Sequence, residues 1–167
     1  SAADADHIAG ELMKAFLLQR PLTDQQRQRL VRICGQPQAQ ELADHICQGL
    51  PAISLTGHPA LATAMANDVG ATFTFAQQIQ VLGQAADSLL CLSTSGNAAN
   101  VIAAAQVARS LGMKVIGLTG ADGGDLKNWC DAQPEDLTDC DAVALGSYDA
   151  FSYVGGGLKD FFDRAFY

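Results

Sequence analysis

The chain has 167 residues, of which 49% are apolar and 17% are charged, and its formal net charge is −8. This length fits a single domain over residues 1–167, with enough apolar side chains to bury a core. The acidic balance argues against a nucleic-acid partner, which needs clustered Lys and Arg, but not against a small anion held by backbone N–H groups.

The cysteines and the apolar stretches bear on the compartment. Five cysteines are an odd number and none has C-x-x-C spacing, so reduced thiols are expected rather than a disulfide framework. No basic segment precedes an apolar run at the N-terminus, and no apolar stretch approaches the ~20 residues that span a bilayer. We therefore expect a soluble, cytoplasmic protein with no membrane partner.

The first 50 residues favour helices. Residues 1–18 are predicted as a helix capped by Ser1, and its apolar residues recur at helical spacing: Ile8, Leu12 and Phe16. Pro21 interrupts this pattern. Residues 22–48 are polar and contain a Gly-Gln-Pro break at 35–37, which predicts a helical insertion with a turn on the surface.

From residue 51 onward strands and helices alternate. Strands are predicted at 52–56, 88–93, 114–119 and 142–145, and helices at 59–67, 74–82, 98–111 and 126–130. The strands are continuous apolar runs, as in a parallel sheet that is covered on both faces. The order predicts an α/β fold, a doubly wound parallel sheet in a flavodoxin-like three-layer sandwich.

The loop between the second strand and its helix carries polar chemistry. Ser93, Thr94 and Ser95 precede Gly96, and an Ala-rich helix follows. Ligands of such sheets bind at the carboxyl ends of the strands, where hydroxyls and helix N–H groups can hold a phosphate without lysine. The alternative interpretation is a turn and a helix cap. Neither a Walker motif nor G-x-G-x-x-G is present, so nucleotide binding rests on fold analogy alone.

Two other groups of polar residues allow two interpretations each. His7 and Glu11 are four residues apart and share a helix face, where they can ligate a divalent metal or form a solvated pair. Glu can also shuttle a proton between adjacent carbons. Asn67 and Asp68 fit a helix end that Gly70 terminates.

Three stretches resemble the SIS domain of bacterial phosphoheptose isomerases: SAADADHIAGEL, PAISLTGHPALATAMANDVGATFTFAQQIQVLG and LSTSGNAANVIAAAQVARSLGMKVIGLTGADGGDL. The likeness covers residues 1–18 and 51–131. It implies an aldose–ketose isomerase that converts sedoheptulose 7-phosphate to D-glycero-D-manno-heptose 7-phosphate, a heptose precursor of lipopolysaccharide. It also implies a homotetramer with active sites between subunits.

The resemblance also implies roles for individual residues. Phosphate and sugar would be bound by Ser1, Asp68, Ser93, Thr94, Ser95 and Asn97. Glu11 matches the catalytic glutamate, and His7 matches a histidine that binds zinc in some members. Zinc, held by His7 and Glu11, is therefore the expected cofactor.

The chain departs from the family pattern in three places. Ala98 stands where members usually have a fourth serine. No match is found for the helix, strand and Gly-Asn-Gly-Gly turn that precede the position of Ser1 in the family. Residues 147–167 contain neither the Gln nor the His that the family carries in its last helix. The absent Gln and His favour a second hypothesis, a non-catalytic sugar-phosphate-binding or protein-interaction module, whereas His7 and Glu11 favour the isomerase.

Overall fold

The computed structural model describes residues 2–14, 18–120 and 122–131, together with the backbone of residues 143–147. Ser1, predicted as a helix cap and a ligand contact, lies outside the described residues. So does most of the C-terminal segment that departs from the family pattern.

The described part of the chain contains six α-helices, four strands and two 3-10 helices. The helices are α1 (Ala2–Met13), α2 (Asp24–Cys34), α3 (Gln38–His45), α4 (Pro59–Asp68), α5 (Thr74–Leu82) and α6 (Ala99–Ser110). The strands are β1 (Ala52–Ser54), β2 (Ser88–Ser93), β3 (Lys114–Thr119) and β4 (Val143–Ser147). The 3-10 helices are Ala71–Phe73 and Asp125–Asn128.

Two predicted helices differ from the structure. The helix predicted over residues 1–18 ends at Met13, because Leu50 N donates to Leu12 O at 2.9 Å and takes the carbonyl that a further helical turn would use. The helix predicted at 126–130 is the 3-10 helix Asp125–Asn128. Asp131 accepts from Val115 N through its carboxylate and donates its own N–H to Val115 O, which draws the chain back to β3 after a short turn.

The four strands form one parallel sheet in the order β1-β4-β2-β3. β4 comes last in the chain but pairs between β1 and β2. Because the strands are parallel, their carboxyl ends meet at one edge, at Ser54, Ser93, Thr119 and Ser147. The predicted parallel sheet is confirmed.

Each face of β2 is covered by different helices. Leu90 and Leu92 pack with α1, through Ala5, Ile8, Ala9 and Leu12. Leu89 and Cys91 point to the opposite face and pack with α5 and α6, through Ile79, Val101, Ala104, Ala105 and Ala108. The structure is therefore a three-layer sandwich, as the alternation of strands and helices predicts.

Residues 22–48, predicted as a helical insertion with a turn, contain α2 and α3, which pack together as a helical hairpin. Thr23 caps α2 in a reciprocal capping box with Gln26, and no residue of α2 is buried. Pro21 and Cys47 form an isolated antiparallel bridge where the hairpin leaves and rejoins the domain. The two ends of the hairpin therefore lie side by side.

Candidate functional site

The loop that joins β2 to α6 lies at the carboxyl edge of the sheet. Ser93 ends β2 and is 4% exposed. Gly96 follows with a φ of +65°, and its N–H donates to Ser93 O at 3.1 Å. A positive φ strains residues that carry a Cβ, which explains the glycine at this turn. The turn brings the chain directly to the start of α6.

At the N-terminus of α6 the N-cap residue, Ala98, makes no side-chain hydrogen bond to the helix. Asn100 Oδ1 accepts from Val101 N at 3.0 Å, which leaves the N–H groups of Ala99 and Asn100 without a side-chain cap. The first N–H groups of a helix lack intrahelical partners, and the helix dipole adds partial positive charge there. An uncapped helix start of this kind can accept an anion.

An open groove of about 470 Å³ lies beside this helix start. It is lined by Ala71 and Thr72 of the first 3-10 helix and by Ser95, Asn97, Ala98, Ala99 and Asn100. The described lining residues include no Lys or Arg. Hydroxyls, side-chain amides and the N-terminus of α6 are thus the donors that the groove offers to a ligand.

The four residues of the loop that were predicted to bind the substrate do not all lie at the groove. Ser95 and Asn97 line the groove. Ser93 is buried at the end of β2, and Thr94 is exposed but does not line the groove. The Ser95 hydroxyl accepts a hydrogen bond from Asn97 N at 3.1 Å, which keeps these two residues together.

The loop is bound to a second loop, which follows β3. Gly120 N donates to Thr94 O, Leu126 N donates to Gly96 O, and Asp125 N donates to Asn97 Oδ1, each at 2.9 Å. No role was predicted for this second loop from the sequence. The signal that could have pointed to it is the pair Gly123-Gly124 shortly after β3, where both glycines have positive φ.

Asp68 is the last residue of α4 and is exposed. Gly70, at a φ of +132°, donates its N–H to Met65 O at 2.7 Å, which confirms the interpretation as a helix end. The Asp68 side chain does not line the groove. The chain reaches the groove three residues later, at Ala71.

His7 and Glu11 lie on α1. The hydroxyl of Thr56, just beyond the carboxyl end of β1, donates to Asp6 Oδ1 at 2.6 Å, whereas Leu12 O meets Leu50 N before β1 begins. Therefore α1 runs antiparallel to the strands, with His7 near the carboxyl edge and Glu11 about one turn further from it. His7 is exposed, and Glu11 pairs with Lys14 at 3.5 Å.

The structure does not bring Glu11 and the groove together within one chain. Glu11 is on the helix that covers one face of the sheet, and Ser95 precedes the helix that covers the other face. In the part of the chain that is described, no group of three or more His, Cys, Asp or Glu side chains is placed to hold a metal. His7 and Glu11 alone do not complete a zinc site.

The cysteines of the sheet region do not add a nucleophile to the site. Burial raises the pKa of the Cys91 thiol. Burial, assisted by the neighbouring Asp131, also raises the pKa of the Cys130 thiol. Since the thiolate is the reactive form, both side chains are suited to packing rather than to chemistry at neutral pH.

The fold and the groove define a doubly wound α/β domain with an open groove at the carboxyl edge of its sheet, where ligands of such folds bind. A family model described as "SIS domain" matches residues 26–120, more than half of the chain. The chain belongs to the SIS domain family. None of the helices within the described ranges is long and apolar enough to cross a membrane.

The chain is similar to curated proteins named phosphoheptose isomerase. The protein of Nitratidesulfovibrio vulgaris is 36% identical over 131 residues, which cover 78% of this chain and 50% of that protein. The protein of Aliarcobacter butzleri is 39% identical over 131 residues, covering 78% and 55%. The chain thus spans about half the length of the curated relatives that it matches.

A solved structure supports the same relationship. Phosphoheptose isomerase GmhA from Neisseria gonorrhoeae matches with a TM-score of 0.60 and 27% sequence identity. The match covers 98% of this chain and 67% of that chain.

If the groove binds phosphate, removing the Ser95 hydroxyl weakens binding. We expect Ser95→Ala to reduce the affinity for inorganic phosphate by about tenfold, the loss of one hydrogen bond to a charged group. Ser110→Ala is the matched control, because its hydroxyl bonds Val107 O at the other end of α6. Isothermal titration calorimetry on both variants measures the difference. Equal affinities of the two variants would contradict a phosphate contact of Ser95.

Proposed function

We propose that the chain is an aldose–ketose isomerase that converts sedoheptulose 7-phosphate to D-glycero-D-manno-heptose 7-phosphate. The observation that carries the proposal is the uncapped start of α6, which opens on a groove with Ser95 and Asn97 in a chain similar to phosphoheptose isomerases. In this proposal the groove anchors the phosphate, and Asp68 and Ser1 contact the sugar. The product would serve heptose synthesis for lipopolysaccharide in the cytoplasm.

Glu11 is the proposed base. An aldose–ketose isomerisation removes a proton from the carbon beside the carbonyl and returns a proton to the neighbouring carbon. One carboxylate placed over both carbons can do both steps. Glu11 is partly exposed, and its ion pair within the described residues is the surface contact with Lys14, so its carboxylate is accessible to a ligand. Holding the phosphate fixes the two carbons relative to such a base.

The proposed site is shared between two subunits. Because α1 and α6 cover opposite faces of the sheet, Glu11 and the groove of one chain do not form a single site. We therefore place Glu11 of one subunit at the groove of another, in a homo-oligomer that we propose to be a tetramer. His7 is on the same exposed side of α1 and would lie at the same junction.

Replacing Glu11 tests the chemistry. We expect Glu11→Gln to lower kcat for sedoheptulose 7-phosphate by about 100-fold or more, because the amide cannot accept the proton. Phosphate affinity should not change. Glu41→Gln, an exposed glutamate on α3, is the control and should keep full turnover. Unchanged turnover in Glu11→Gln would refute the proposed base.

Mixing two inactive variants tests the shared site. Glu11→Gln lacks the base, and Ser95→Asp places a carboxylate in the groove that repels phosphate. When the two variants are co-expressed, about a quarter of the sites should be active. In random assembly, that fraction of sites joins the intact groove of one variant to the intact Glu11 of the other. Turnover and native mass spectrometry are measured on the same sample. Mixed oligomers without activity would contradict a site shared in this way.

Zinc is a separate proposal. His7 and Glu11 would supply two ligands, and the further ligands would come from outside the described residues or from a second subunit. We expect the purified oligomer to contain zinc that His7→Ala removes, as measured by elemental analysis of the protein. His45→Ala, on α3, is the control. Equal zinc contents in both variants would contradict a role for His7 as a ligand.

The second candidate function is a non-catalytic sugar-phosphate-binding module. It is favoured by residues 147–167, which contain no His and no Gln. Such a module would bind phosphate in the groove as the isomerase does, and Glu11→Gln would not affect it. Phosphate binding without turnover in the unaltered oligomer, with zinc added and then chelated, would favour this candidate over the isomerase.

A further inference from the structure

The loop after β3 contacts residues 94–98, which join β2 to α6 and which we call the groove loop. The loop after β3 does not itself line the groove. Its described residues are Gly120 and residues 122–124, and the second 3-10 helix continues from it at Asp125. We call residues 122–124 the glycine loop. Leu126, in the 3-10 helix, is fully buried among the residues between the sheet and α6. The glycine loop is therefore attached to the core through Leu126.

The contact between the two loops leaves no space for side chains at two glycines. A Cβ on Gly124 would overlap the carbonyl oxygen of Ser95 and lie 2.8 Å from Asn97 Oδ1. A Cβ on Gly96 would overlap the carbonyl of Gly123 and lie 2.8 Å from Gly124 N. The backbones of the two loops thus pack directly on each other.

One hydrogen bond across this contact determines how Asn97 presents its amide. Asp125 N is a donor only, so the Asn97 atom that faces it at 2.9 Å is the oxygen. The amide plane is then fixed, and Nδ2, which has no hydrogen-bond partner among the described residues, is available as a donor. Asn97 lines the groove.

We infer that the glycine loop and Asp125 N–H position the groove loop for its anion, by fixing the amide of Asn97 and the carbonyl of Ser95. Asp125 and Gly124 are positioning residues, because neither lines the groove. This inference rests on the proposed phosphate site. It adds that the affinity of the site depends on a hydrogen bond made outside the groove.

The decisive experiment isolates the contribution of the Asp125 N–H by comparing two variants. Asp125 is the first residue of the 3-10 helix, where proline is tolerated because that N–H has no partner within the helix. Asp125→Pro lacks both the N–H and the carboxylate, whereas Asp125→Ala lacks only the carboxylate. We expect Asp125→Pro to bind inorganic phosphate about tenfold more weakly than Asp125→Ala, by calorimetry. Its KM for the sugar phosphate should rise more than its kcat falls.

A second pair of variants tests the contact at Gly124. Gly124→Ala and Gly112→Ala both place a Cβ at positive φ, +52° and +80°. At Gly112 the added Cβ contacts only Ala85, at 3.5 Å or more. Gly112→Ala therefore has the backbone strain of a positive φ without a collision at the groove loop. We expect both variants to lose thermal stability through the positive φ, Gly124→Ala more because its Cβ also collides with backbone atoms. A loss of phosphate affinity is expected in Gly124→Ala alone.

The outcomes separate this inference from the proposed function. If the unaltered protein binds no inorganic phosphate, the proposed phosphate site is wrong, and so is the positioning role of Asp125 and Gly124. If the unaltered protein binds phosphate, and Asp125→Pro binds it as tightly as Asp125→Ala, only the positioning role is refuted. Gly124→Ala with the affinity of Gly112→Ala refutes it independently.

Discussion

Burial of β2 on both faces is the constraint on which the other elements depend. All six residues from Ser88 to Ser93 are buried, and they include an unbroken apolar run from Leu89 to Leu92. A parallel strand of this kind is stable only between two helical layers. Leu90 and Leu92 require α1 on one face, and Leu89 and Cys91 require α5 and α6 on the other. The position of the groove follows from this, since α6 starts where β2 ends.

The groove offers an anion backbone N–H groups and neutral side chains rather than basic side chains. The Ala-rich α6 packs closely on the sheet through small side chains, and its uncapped start is directed at the groove. An acidic protein can hold phosphate in this way, because the donors are fixed N–H groups and neutral side chains. Such donors depend on the exact course of the loop, which is held in place by contacts between backbones.

Much of the fold could be predicted from the sequence, because its determinants are local. The apolar run at 88–93 and the helical spacing after it predict β2 and α6 with nearly the observed bounds. The early end of α1 could not be predicted, since it depends on Leu50, which is distant in the chain. The same holds for β4, which is last in sequence and central in the sheet.

The site was predicted less completely than the fold. The hydroxyl run pointed to the loop beside the groove, but the sequence alone does not tell that Ser93 is buried while Ser95 lines the groove. The contacts of Asn97 with Asp125 join loops that follow two different strands, so no local pattern contains them. Family resemblance indicated His7 and Glu11, and only the packing of α1 placed them on the face opposite to α6.

The bridge between Pro21 and Cys47 has a consequence for how this family can vary. It brings together the two ends of a hairpin of which α2 buries no residue, and β1 begins only a few residues later. The bridge therefore fixes the two ends of the hairpin side by side. We expect a change in length between these ends that keeps the bridge to leave the register of β1 against β4 unchanged. The exposed surface of α2 can then vary independently of the groove.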